Sequence, residues 1–154
     1  MPQSLSKIYT HIIFGTKYRQ HSIDTNIECH LHNYLGGICK SWDCNPIQIG
    51  GYSNHIHILC QISRKVAPAK LIQELKQSSS KWIKTKGHSY QNFYWQDGYG
   101  VFSVSHSQVK RVVAYIRNQH EHHKNVTFKS EFVSLLKKHQ IEFDERYIWD
   151  DPAE

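Results

Sequence analysis

The sequence predicts an α+β fold: one antiparallel sheet with helices on one face and additional helices at the C-terminal end. Three observations carry that prediction. Runs rich in β-branched and aromatic residues alternate with segments whose apolar positions recur every three or four residues. Their order is strand, helix, strand, strand, helix, strand, and only Ser53 and Asn54 separate the second strand from the third, which suits a hairpin. That order is the split unit of ferredoxin-like and RRM-like sheets. At 154 residues the chain reads as one domain, with a core over about 5–124 and a C-terminal helix and tail over about 125–154.

Each element follows from its residues. Lys7 to Thr16 holds Ile8, Tyr9, His11, Ile12, Ile13 and Phe14 before Gly15, a first strand. From Ile23 to Trp42, Ile27, Leu31, Tyr34, Leu35 and Ile38 keep helical spacing, with Asp24 at the positive end of the dipole. Cys44 to Tyr52 and Tyr52 to Ile62 form the antiparallel pair. Pro68 suits a first helical position, and Leu71, Ile72, Leu75 and Trp82 carry that helix to Lys84. Gly87 to Asn92 is polar loop, and Phe93 to Val104 reads as a strand bent around Gly98 and Gly100. Ser105 is the expected cap of a helix reaching His122, with Val109, Val112, Val113 and Ile116 buried. Phe128 to His139 is one more helix, with Phe132, Leu135 and Leu136 inward. The tail from Ile141 is acidic, with Asp150 and Asp151 expected in solvent, yet it contains Phe143, Tyr147, Ile148 and Trp149.

Composition narrows the function classes. A net charge of +6 points to an anionic partner, nucleic acid first. Cys29, Cys39, Cys44 and Cys60 make no C-x-x-C pair, and no apolar run is long enough for a signal sequence or a membrane span. These features point to a reduced, cytoplasmic protein without membrane partners.

The chemistry-bearing residues fall in two places. On the third strand, alternation puts His55, His57, Leu59 and Gln61 on one face and Ile56, Ile58, Cys60 and Ile62 on the other. The second set is core, and the histidine face is expected to stay open to a ligand. Two imidazoles two residues apart can share a metal ion, although on their own they read better as half-exposed sheet histidines. Tyr115 and Gln119, four apart on the later helix, project from one side at the margin of its buried stripe. His120, His122 and His123 with Glu121 suit the helix C-terminus, and a second metal site there is the less favoured reading.

The His55, Ile56, His57 motif followed by Tyr115, Ile116, Arg117, Asn118, Gln119 resembles the single-tyrosine HUH transposases of small insertion sequences, the TnpA or IS200-like type. Trp95 to Val104, Ser78 to Trp82 and Asp144 to Trp149 are similar to the same family, so the resemblance covers nearly the whole chain. It implies that His55, His57 and Gln119 bind divalent Mg or Mn and that Tyr115 is the nucleophile. A phenol with a pKa near 10 is ionised only to about one part in a thousand at neutral pH, so it needs such help. The resemblance further implies cleavage and rejoining of single-stranded DNA through a 5′-phosphotyrosine, recognition of DNA hairpins, and a homodimer whose tyrosine helix is exchanged in trans. DNA is then expected over Lys17 and Arg19, over Lys70, Lys76, Lys81 and Lys84, and over Lys110, Arg111 and Arg117. Two alternatives stand beside this reading. One is a domesticated relative associated with repetitive palindromes. The other is a non-catalytic RRM-like RNA-binding domain, suggested by Gly98 to Phe102 but lacking a basic residue at Asp97.

Overall fold

The computed structural model describes residues 2–149 and 151, so Asp150 and residues 152–154 of the expected tail lie outside the described residues. Strands β1 (Ile8–Gly15), β2 (Asn45–Tyr52), β3 (His55–Ile62) and β4 (Gly100–Val104) form one sheet in the order β2-β3-β1-β4. Every neighbouring pair is antiparallel. Helix α1 (Glu28–Ser41) joins β1 to β2, and α2 (Pro68–Lys84) joins β3 to β4, which gives the expected ferredoxin-like order. Beyond β4 come α3 (Val109–Arg117), α4 (Gln119–His122), α5 (Phe128–Lys138) and α6 (Glu145–Ile148).

Strand alternation explains the main core. Ile12 and Phe14 of β1 and Ile56, Ile58, Cys60 and Ile62 of β3 pack against Leu31 and Leu35 of α1 and Leu71, Ile72 and Leu75 of α2. Each such aliphatic side chain contributes about 1.5–3 kcal/mol when fully buried. The stacked rings of Tyr34 and Trp82, 4.7 Å apart, join the two helices. Helix α1 starts at Glu28 and not at Ile23 because Asp24 first closes a turn. Its Oδ1 accepts from the backbone N–H groups of Asn26 and Ile27 at 3.0 and 3.1 Å.

The histidine face is covered, which corrects the expectation of an open face. Ile13 and Phe102 on that side pack against Phe128, Phe132 and Leu136 of α5, with Phe143, Ile148 and Trp149 of the tail closing over them. Two glycines permit the close approach. A Cβ on Gly15 would lie 2.6 Å from the Phe128 ring, and one on Gly50 would lie 2.7 Å from the Ile116 carbonyl oxygen. An RRM-like surface for stacking bases on the open sheet is thereby lost.

Three further boundaries differ from expectation. Only Gly100–Val104 is strand in the 93–104 segment, while Trp95 makes an isolated bridge to Thr16. The Lys76 ammonium donates to the carbonyls of Gln96 and Gly98, both at 2.7 Å, and so holds the stretch between. Ser105 makes no side-chain cap, because a 3-10 turn over His106–Gln108 precedes α3. The expected single helix also breaks at Asn118, and of its valine stripe Val109, Val112 and Val113 are only half-buried while Ile116 is buried. Asp151 is exposed, as expected, and also pairs with Arg19 at 2.8 Å.

Candidate active site

β3 is held centrally between β2 and β1, so its residues have strand neighbours on both sides. Register places His57 opposite Ile13 and Gly50, and His55 opposite Gly15 and Tyr52. Both imidazoles are fully enclosed. Helix α3 lies against β2 through Ile116, and the next residues of the chain bring Gln119 over the pair. Gln119 Oε1 is 2.8 Å from His55 Nε2. The tyrosine ring is centred 5.7 Å from that of His57. His55, His57, Tyr115 and Gln119 are thus brought together within one chain.

At their centre stands a residue outside the expected set. Glu131 of α5 is 3% exposed, and its Oε1 is 3.1 Å from His57 Nε2, 3.3 Å from His55 Nε2 and 3.2 Å from His123 Nε2. Its Oε2 accepts from the Tyr115 hydroxyl and from Gln119 Nε2, the latter at 2.8 Å. Burial alone would raise the Glu131 carboxyl, but the contacts with the His123, His55 and His57 rings outweigh it and hold the group well below the usual carboxylate range. Burial, then the Glu131 charge, push the Tyr115 hydroxyl above its ordinary value. A resting phenol is therefore well protonated here. His11 is the other unforeseen member: it shares the histidine face of β1, and its Nε2 is 2.8 Å from His57 Nδ1.

The donor set fits a cation. Burial lowers the His55 pKa to about 4, so its ring carries a single proton near neutral pH. Asn54 Oδ1, which can only accept, lies 2.9 Å from His55 Nδ1 and fixes that proton there. The Nε2 lone pair then faces the oxygens of Gln119 and Glu131. His123 repeats the pattern, its Nδ1 lying 2.6 Å from the Val126 carbonyl and its Nε2 facing Gln119 Oε1 at 2.9 Å. The Nε2 atoms of His55 and His123 converge on the same oxygens, and outer partners orient both rings, as in metal sites generally. His55, His57 and Glu131 offer ligand atoms close enough together to hold one ion.

The basic residues separate into groups. Lys110, Arg111 and Arg117 line a groove of about 800 Å³ along α3 that reaches Tyr115 and His122. Lys70, Lys76, Lys81 and Lys84 lie on α2, which packs on the opposite face of the sheet. Of these, Lys70 pairs with Glu74 at 3.0 Å and Lys84 lies over the Tyr94 ring. Lys17 is exposed after β1, and Arg19 lies over Trp149 beside Asp151.

Residues 4–119 match the family model described as Transposase IS200 like. The chain belongs to that family. A search of curated proteins gave no match for this IS200-like transposase. Among solved structures it is similar to a Deinococcus radiodurans R1 protein assigned as a transposase, with a TM-score of 0.60 and 20% identity over 77% of this chain and 98% of that one. It is also similar to a REP-associated tyrosine transposase bound to a REP hairpin, with a TM-score of 0.60 and 12% identity over 100% of this chain and 98% of that one. At these identities the likeness is one of fold. No helix among the described residues of the IS200-like chain is long and apolar enough to cross a membrane.

Proposed function

We propose that this IS200-like transposase cleaves and rejoins single-stranded DNA with Tyr115 as nucleophile and a divalent ion, Mg or Mn, held by His55, His57 and Gln119 together with Glu131. The observation that carries the reading is the shared carboxylate: the Tyr115 hydroxyl and the facing histidine nitrogens all meet on Glu131. When bound, the ion polarises the scissile phosphate and offsets the charge that develops there. The chain's own residues do the rest. Tyr115 oxygen loses its proton and bonds to phosphorus, the 3′ oxygen leaves with a proton, and the 5′-phosphotyrosine retains the ester for rejoining. Packing of α3 and α5 over the pair excludes bulk water. DNA hairpins are the expected partners, with Lys110, Arg111 and Arg117 offering phosphate contacts along the groove that reaches Tyr115. Lys17, Arg19 and the α2 lysines stand as further contacts for the remainder of a hairpin.

A homodimer with exchanged tyrosine helices belongs to this reading, although the single chain already closes its site with its own Tyr115. Exchange would require α3 to leave its seat on Gly50. A domesticated, palindrome-associated role is favoured by one observation: the hairpin-bound neighbour matches this fold through the C-terminal helices, over 100% of the chain.

The test is incubation with single-stranded hairpin DNA and Mn, followed by denaturing electrophoresis. A covalent adduct is expected, abolished by chelator and by Tyr115→Phe. An adduct that persists in Tyr115→Phe removes the nucleophile, and equal yield under chelator removes the metal.

A further inference from the structure

The two oxygens of Glu131 face different surroundings. Oε1 looks to His55, His57 and His123, whereas Oε2 accepts from Tyr115 and Gln119 and lies 3.4 Å from His122 Nε2. That His122 nitrogen is shielded from solvent and has no hydrogen-bond partner among the described residues. A buried ring nitrogen aimed at a carboxylate, with nothing completing the contact, is a site short of one component. His122 and His123 close α4, and their ligand atoms with that of Glu131 lie within 4.8 Å of one another. A six-coordinate ion bonded at about 2.1 Å separates neighbouring ligands by about 3 Å and opposite ones by about 4.2 Å, so small side-chain adjustments suffice. His120, the third histidine of the run, is not part of the set: its ring turns away to Glu28, 2.8 Å distant.

We propose that His122, His123 and Glu131 form a second divalent-cation position next to the first, with Glu131 bridging the two and the second ion lying against the Tyr115 hydroxyl. The proposal rests on the first position only in that Glu131 is shared. His122 belongs to the second position alone, which makes it the discriminating residue. Because the second ion and the Tyr115 hydroxyl compete for Oε2, occupancy displaces the hydroxyl's hydrogen bond. The tyrosine oxygen is then free to turn to the ion, its proton passing to water if it ligates as phenolate. Two dications around one carboxylate carry surplus positive charge, which a DNA phosphate would offset, so the second position is the more weakly held in free protein.

The experiment is a titration of the metal-stripped full chain with Mn(II), counting free ion by electron paramagnetic resonance. Two ions per chain are expected at saturation, with magnetic coupling between them, and one uncoupled ion in His122→Ala. Saturation at one ion in the unaltered protein overturns the proposal without any variant, as does His122→Ala that still binds a coupled pair. His57→Ala separates the two readings: loss of an ion while His122-dependent binding survives supports both positions, and retention of both ions overturns the first position alone. Tyr115→Phe is expected to keep both ions, and its failure to bind the second would make the tyrosine an obligate ligand and overturn the three-residue assignment.

Discussion

The Ser79 hydroxyl donates to the Leu75 carbonyl at 2.6 Å and accepts from Trp95 Nε1 at 2.9 Å. It is fully buried, and the indole it holds packs edge-on against Phe14 and Phe93. Ser79→Ala would leave the indole N–H without an acceptor, so a loss of about 1–3 kcal/mol is expected, read as a lower denaturant midpoint with unchanged slope. A serine in a polar run gave no sign of this role in the sequence. Glu131 differs, because a signal existed. It stands with Phe128, Phe132, Leu135 and Leu136 at the spacing of one helical face, and a carboxylate in such a stripe is either paired or functional. His11 was hidden for another reason: its partner lies on a neighbouring strand, and only the register brings the two rings together.

Elements were legible wherever one periodicity ruled. Helix α2 runs from Pro68 to Lys84 as the sequence indicates, and the β2–β3 hairpin turns at Ser53 and Asn54. The break at Asn118 was not legible, since residues 117–125 are all polar and offer no apolar period by which to follow the helix. Its effect is to seat Tyr115 in α3 while Gln119 opens α4. The coverage of the histidine face by α3 and α5 also lay beyond local pattern, because which sheet face a C-terminal helix takes depends on shape. Gly50 sets that shape for α3. Gly50→Ala places a methyl 2.7 Å from both the Ile116 carbonyl oxygen and its Cγ2, so α3 must lift. The expected cost is about 1–3 kcal/mol, with a larger proportional loss of DNA adduct than of stability because Tyr115 adjoins Ile116. Thermal melting and adduct yield on one preparation check both, and unchanged adduct would show that α3's seat does not set the tyrosine.

At the scale of the molecule, ion binding is expected to act as a fastener, because its ligands come from β3, α4 and α5. Mn at about a hundred times its dissociation constant should add about 2.7 kcal/mol to unfolding, seen as a rise in Tm that His55→Ala removes. No rise in the unaltered protein would mean that these side chains hold no ion. The fold class was readable because strand order and spacing carry it, whereas the pairing of His55 and His57 with Tyr115 and Gln119 was readable only through the resemblance of their motifs to the transposase family. The fifth residue, Glu131, comes from a helix 74 positions beyond His57, and its place in an apolar stripe marked it without naming its partners. That separation bears on how the protein is made. Closing so long a loop is entropically slow, and the contact cannot form before α5 has been synthesised. A nascent chain still on the ribosome therefore carries its histidine strand and its tyrosine without a completed centre. On the proposed mechanism, a chain cut before Phe128 lacks Glu131, and it is expected to give no covalent DNA adduct on denaturing gels.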